Sequence, residues 1–178
     1  MLGGIFSNIN WVDVVAVVIL LRAVHIGSNV GLSTEIYKFA GIVTGLVFAI
    51  FDHKTAASLI NTYTLISPSA VLDAVAFLAI VTLFVFAFRI ARALFTTLVQ
   101  FQFAALLEKY GGLLLGLVRG AVSVSVVLIF LLMLPSEYLK TSIETSVSGR
   151  YFLKIGTRIY ASASKVWPRL DQDIEIFK

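Results

Sequence analysis

Four runs of mainly apolar residues constrain this chain more than any other feature of its sequence. They cover residues 11–26, 34–51, 71–88 and 113–134. The hydrocarbon core of a bilayer is about 30 Å thick and needs roughly 20 helical residues, or fewer where the bilayer thins locally. Only 13% of the residues are charged, which is about half the share found in ordinary soluble domains. We therefore predict an all-α membrane protein with four transmembrane helices.

The residues that flank these runs indicate where helices begin and end. Asn10, followed three residues later by Asp13, is typical of a helix N-terminus. The segment 89–110 mixes charged residues with phenylalanines, which favours a helix at the depth of the lipid headgroups. Gly111 and Gly112 are predicted to break that helix before the fourth span begins, because glycine is a poor helix former.

The chain is predicted to consist of a transmembrane domain, residues 1–135, and a polar amphipathic tail, residues 136–178. In the tail, basic residues recur every four positions, and apolar residues fall on the other side of the same helix. The basic residues are Arg150, Lys154 and Arg158, and the apolar ones are Phe152, Ile155 and Ile159. This pattern predicts an interfacial amphipathic helix on a membrane surface. Packing of the tail on a soluble partner is the alternative.

The distribution of basic residues predicts the orientation, because cytoplasmic loops carry an excess of Lys and Arg. The connections after the first and third spans, with their helix ends, hold six: Arg22, Lys38, Arg89, Arg92, Lys109 and Arg119. The opposite side holds four near the spans: Lys54, Lys140, Arg150 and Lys154. Both termini are therefore predicted to lie outside the cytoplasm.

Glycines spaced four residues apart occur in three places. These are Gly27 with Gly31, Gly41 with Gly45, and Gly112 with Gly116 and Gly120. In lipid, helices associate through close backbone approach rather than through the hydrophobic effect, so small residues mark contact faces. We predict that these glycines are helix-packing residues within the bundle. A homodimer seam is the alternative.

Several ionisable residues lie within or at the ends of the spans, namely Asp13, Arg22, Glu35 and Arg119. Charged groups are costly in a membrane, and their presence there often marks a functional site. Each also has a structural interpretation, since Asp13 can cap a helix, Glu35 lies in a first helical turn, and the arginines can extend towards the headgroups. In the four-span topology Glu35 and Arg119 fall on the same side of the membrane. This placement predicts a buried ion pair.

The sequence lacks recognisable catalytic and metal-binding motifs. It has no cysteine, and His25 and His53 are too far apart for a local metal site. The glycine-rich stretch 111–120 lacks the Lys and the Ser or Thr of a phosphate-binding loop. We therefore expect no enzyme activity, no metal and no cofactor. The basic residues are scattered, which indicates no nucleic-acid partner.

Three short motifs, in this order, resemble those of the colicin V production protein family. They are Asn10-Trp11-Val12-Asp13, Gly27-x-x-x-Gly31-Leu32-x-x-Glu35 and Gly112-x-x-x-Gly116-x-x-Arg119-Gly120. The resemblance covers residues 10–135. It implies a multi-pass protein of the bacterial inner membrane that is required for production of the peptide toxin colicin V.

The resemblance also bears on orientation and function. Some family members carry an extracytoplasmic protease domain at the C-terminus, which agrees with a C-terminus outside the cytoplasm. A basic tail follows the fourth span here, so proteolysis is not implied for this chain. The expected role is that of a membrane scaffold or accessory factor for toxin export and envelope maintenance, in contact with lipid, with envelope proteins or with further copies of itself. The alternative is a small oligomeric channel or transporter.

Overall fold

The computed structural model describes residues 10–64, 70–98 and 105–166, and within these ranges it contains six helices and no strand. The helices are α1 (Trp11–Val30), α2 (Leu32–Thr64), α3 (Ala70–Leu98), α4 (Ala105–Met133), α5 (Glu137–Thr145) and α6 (Val147–Val166). The first four are long and apolar enough to cross a membrane. The predicted all-α membrane fold with four transmembrane helices is confirmed. The chain is a multi-pass membrane protein.

Helix α4 passes through Gly111 and Gly112 without interruption, so the predicted break before the fourth span is wrong. Gly112 lies against the backbone of Gly27 and Gly31, where a side chain would not fit. Glycine costs about 1 kcal/mol relative to alanine within a helix. The close helix contact that it permits offsets this cost.

Helix α2 also continues past its predicted end at residue 51 and runs to Thr64. The polar residues Asp52, His53 and Lys54 do not end it. His53 is buried, and its Nδ1 lies 2.9 Å from the carbonyl oxygen of Ile50 in the preceding helical turn. The ring is therefore hydrogen-bonded to its own helix, and the helix can carry it into the core.

The transmembrane helices form two antiparallel pairs, α1 with α4 and α2 with α3, and contacts between α2 and α4 join the pairs. The main core lies where α2, α3 and α4 meet. Its largest fully buried members include Leu46, Ile50, Phe77 and Ile129. A second core joins α1 to α4 and α5. Outward-facing apolar side chains remain exposed, as a hydrocarbon solvent requires; Leu21, Leu83 and Leu114 are examples.

The two C-terminal helices fold back onto the transmembrane helices. Leu153 and Ile159 of α6 pack against the main core. Ser125 of α4 donates a hydrogen bond of 2.5 Å from its Oγ to the carbonyl oxygen of Phe152. The apolar side of this helix therefore faces the protein's own bundle, whereas an isolated amphipathic helix would bury that side in lipid. Residues 167–178 of the predicted tail lie outside the described residues.

Candidate functional site

The turn between α1 and α2 meets the start of α4 at one end of the bundle, which we call the turn end. Gly31 forms this turn with a φ of 85°, a conformation that glycine adopts without the steric cost that other residues incur. Its N–H donates a hydrogen bond of 3.2 Å to the carbonyl oxygen of Gly27. A side chain at position 31 would also collide with the carboxylate of Glu108. The backbone conformation therefore favours glycine here, and any larger residue would also have to displace the Glu108 side chain.

Glu108 of α4 holds the first turn of α2. Its Oε2 accepts a hydrogen bond of 3.2 Å from the backbone N–H of Ser33, and its Oε1 accepts one from the hydroxyl of Ser33. The first N–H groups of a helix have no partner within the helix, and the helix dipole favours a negative charge beside them. Glu108 therefore caps α2 from a different helix, a role that the sequence analysis did not assign to it.

Glu35 also lies in the first turn of α2, and its side chain is 0% exposed. Arg119 of α4 donates from Nε to Oε2 of Glu35 over 2.5 Å. Lys38 donates from Nζ to Oε1 over 2.6 Å. The Arg119 and Lys38 side chains are 16% and 34% exposed, respectively. One fully buried carboxylate is thus held between a mostly buried and a partly exposed cation.

The pairing explains how Glu35 can be buried. An isolated ionised carboxylate in an apolar medium is so costly that it would take up a proton instead. Here both carboxylate oxygens receive a charge-assisted hydrogen bond, the strong class of hydrogen bond in proteins. Removing one partner would leave a buried charge without compensation. The trio of Glu35, Lys38 and Arg119 therefore holds α2 against α4 and fixes the alignment of the two helices.

Glycines form the contact between α1 and α4 beside this charge cluster. Gly27 packs against the backbone of Gly112 and Gly116. A Cβ atom at Gly116 would lie 2.8 Å from the carbonyl oxygen of Ala23, and one at Gly120 would lie 2.8 Å from the Cβ atom of Ala23. Such distances are below van der Waals contact, and a backbone oxygen cannot rotate away. These positions therefore accept glycine alone at the present helix separation.

Gly41 and Gly45 lie on a different surface, where α2 packs on α3. A Cβ atom at Gly45 would lie 3.1 Å from the carbonyl oxygen of Val81, and one at Gly41 would lie 3.0 Å from the Cβ atom of Phe88. This contact is less tight than that between α1 and α4. The three glycine patterns thus lie at two helix contacts and one turn, all within a single chain.

Asp13 lies at the opposite end of the bundle, which we call the tail end because α5 and α6 begin there. Its Oδ2 accepts a hydrogen bond of 3.1 Å from the N–H of Asn10, and its Oδ1 accepts one of 2.6 Å from the N–H of Ser148. Asn10 also donates from its side chain to the carbonyl oxygen of Ser142. Asp13 therefore accepts hydrogen bonds from the backbone at the starts of both α1 and α6. The structure brings Glu35 to Arg119 but keeps Asp13 near the other end of α1.

The remaining sequence candidates do not join either cluster. Arg22 is exposed on the outer surface of α1. His25 is exposed and His53 is buried, and both lie within helices. Within the described residues, no group of three His, Cys, Asp or Glu side chains could hold a metal ion. The chemistry that these sites can perform is ion pairing and helix capping.

The family model described as "Colicin V production protein" matches residues 12–157, which is most of the chain. No curated protein and no solved structure matches the chain.

Proposed function

We propose that this chain, which belongs to the colicin V production protein family, is a scaffold or accessory factor in the bacterial inner membrane. Membership of the family supports a role in colicin V production. In this role it would assist export of the toxin and maintenance of the envelope through contacts with other membrane or envelope proteins, without catalysing a reaction. Both termini would lie on the periplasmic side, as the distribution of basic residues indicates.

The observation that carries the proposal is the use of the charges inside the bundle. Glu35 is fully buried and has both oxygens occupied by Lys38 and Arg119. Asp13 is 8% exposed and accepts hydrogen bonds from Asn10 and Ser148. Charged side chains that serve a pathway for ions or solutes line it and contact water. Here the charges hold helices together. This use favours a rigid protein that acts by binding other proteins through its outer surface.

Helix α3 offers such a surface. Phe86 is 58% exposed and Leu83 is 66% exposed, whereas Phe77 on the same helix is 0% exposed. Exposed apolar residues in a transmembrane helix face either lipid or another transmembrane segment. Phe86 and Phe77 therefore allow a matched comparison between an outward-facing and an inward-facing phenylalanine of one helix.

The first experiment replaces Phe86 or Phe77 by a photo-crosslinking amino acid in cells that produce colicin V. We expect a discrete adduct with a membrane component of toxin export from position 86 and none from position 77, whose neighbours are the chain's own helices. A strain lacking the gene should release less toxin, and the Phe86-substituted protein should restore release. If position 86 gives no more adduct than position 77, the result argues against a scaffold.

The second experiment separates a scaffold from the small oligomeric channel or transporter. The purified protein is reconstituted into vesicles that contain an ion-sensitive dye, with gramicidin as the positive control. A scaffold leaves the vesicles as tight as empty ones. A leak that increases with protein concentration would instead establish a channel.

A further inference from the structure

Helix α6 divides its residues sharply between two sides. One side packs on the bundle, where a Cβ atom at Gly156 would lie 2.9 Å from Cδ1 of Ile129. The other side is exposed and covers about a third of the helix circumference at 3.6 residues per turn. Its members are Val147, Arg150, Tyr151, Lys154 and Arg158. We call Arg150, Lys154 and Arg158 the basic stripe.

The basic stripe has no acidic partner within the parts of the chain that the structure describes. Within these parts, Glu35 pairs with Lys38 and Arg119, and no ion pair involves Arg150, Lys154 or Arg158. Three cations therefore lie one helical turn apart on a single exposed surface. Lys and Arg at this spacing suit a row of phosphate groups, to which the arginine guanidinium can donate two hydrogen bonds at once.

The depth of the helix in the membrane follows from its attachment to α1. Asp13 accepts the hydrogen bond of the Ser148 N–H and lies two residues from Trp11, which is 37% exposed at the start of the span. Tryptophan at the end of a transmembrane helix concentrates at the headgroup level. The first turn of α6 is therefore held at that level. Tyr151, 69% exposed beside the basic stripe, is the other residue type enriched there.

The outer side of α6 meets lipid. The helix starts at α1 and packs on the main core through Leu153 and Ile159, whereas the residues of the basic stripe are exposed and face away from the bundle. At the headgroup level, residues that face away from the bundle meet the headgroups of neighbouring lipids.

We propose that the basic stripe of α6 binds the phosphate groups of anionic phospholipids next to the protein. The apolar side of α6 is occupied by the bundle, so the helix recognises headgroups by charge and not by insertion of its own side chains into lipid. This inference goes beyond the proposed function. It holds in either membrane orientation, because it depends on the geometry of α6 and the sign of the lipid charge.

The test uses the purified full-length protein in neutral detergent, mixed with phosphatidylglycerol and phosphatidylcholine of the same acyl chains, with bound lipid counted by native mass spectrometry. Each basic residue near an anionic surface contributes roughly five-fold in affinity. The variant Arg150→Gln/Lys154→Gln/Arg158→Gln should therefore lose about a hundred-fold in affinity for phosphatidylglycerol and none for phosphatidylcholine. Raising the salt concentration from 0.1 to 1 M, which shortens the screening length about three-fold, should weaken binding to the parent in the same selective way.

The matched control is Arg22→Gln/Arg89→Gln/Lys109→Gln, which removes the same charge from three other exposed positions. It should leave the preference for phosphatidylglycerol within about two-fold of the parent. An equal loss in both variants would show that only net charge matters and would overturn the proposal. Equal lipid binding by the parent and the stripe variant would also overturn it.

A further variant tests the chain's own acidic residues as competing occupants of the stripe. Asp171, Asp173 and Glu175 follow α6 in the sequence, and all are replaced by their amides. The lipid proposal predicts that this variant binds phosphatidylglycerol like the parent. If the preference for phosphatidylglycerol appears only after these residues are neutralised, the stripe is occupied by the C-terminus and the proposal is wrong.

Discussion

Removal of the Glu35 carboxylate should destabilise the bundle strongly, and its two cations should contribute unequally. Breaking a buried ion pair costs about 3 to 5 kcal/mol, because the remaining charge is stranded, whereas a surface pair contributes about 0 to 1 kcal/mol. Glu35 is 0% exposed, and Arg119 is 16% exposed. Glu35→Gln removes the negative charge that pairs with both cations and strands Arg119, so we expect it to cost about 3 to 5 kcal/mol.

The two cation variants should differ because their exposure differs. Arg119→Gln leaves Glu35 paired with Lys38 at 2.6 Å, so its cost should fall near the lower limit for a buried pair, about 3 kcal/mol. Lys38 is 34% exposed and lies on the same helix as Glu35. Lys38→Gln should therefore cost only about 0 to 1 kcal/mol, and it is the matched control for the loss of one cation.

The assay is reversible unfolding of the purified protein in mixed micelles, followed for Glu35→Gln, Arg119→Gln, their double variant and Lys38→Gln. The double variant should cost less than the sum of the singles by about 1 to 3 kcal/mol. This coupling exceeds the average of about 0.6 kcal/mol for ordinary hydrogen bonds between transmembrane helices. Strict additivity, or a Lys38→Gln cost equal to that of Arg119→Gln, would refute the reasoning.

Three other predictions test orientation, close packing and the tail end. The distribution of basic residues predicts that both termini lie outside the cytoplasm. An alkaline phosphatase fused after Lys178 should therefore be active, and a fluorescent protein that folds only in the cytoplasm should be dark there; the reverse pair of results contradicts this orientation. Gly116→Leu should destabilise the protein by about 3 kcal/mol or more, at or above the upper end of the usual cost of overpacking, because the neighbours of Gly116 are backbone atoms. Its detergent resistance should fall accordingly, whereas Val118→Leu on the exposed side of α4 should leave detergent resistance unchanged. Asp13→Ala should remove the cap of α6, which would cost about 0.5 to 2 kcal/mol of stability, and should make α5 and α6 sensitive to limited proteolysis. Glu137→Ala at the exposed start of α5 should not have this effect. Equal cleavage of the two variants would show that Asp13 does not hold the tail end.

Residue spacing anticipated the partners of the charge cluster but not its full composition. Glu35 and Arg119 each lie at a glycine-framed helix start on one side of a four-span topology, and an unpaired charge in lipid is costly, so pairing could be predicted. Glu108 was not assigned, because the predicted break at Gly111 and Gly112 placed it in a separate segment outside the fourth span, whereas α4 is continuous from Ala105. The signal was an acidic residue at the start of the fourth span, on the side where the α1–α2 turn leaves its N–H groups without partners.

The apolar runs alone determined that the chain crosses a membrane with four helices. Backbone polar groups find no water in hydrocarbon and must be satisfied within each segment, so length and apolar composition suffice to identify a span. Only the tertiary structure decided that α4 runs through its glycines, that Lys38 shares Glu35 with Arg119, and that the apolar side of α6 faces the bundle. Periodicity tells which side of a helix is apolar, but lipid and protein are equally apolar neighbours. The choice between them depends on contacts between residues distant in the sequence.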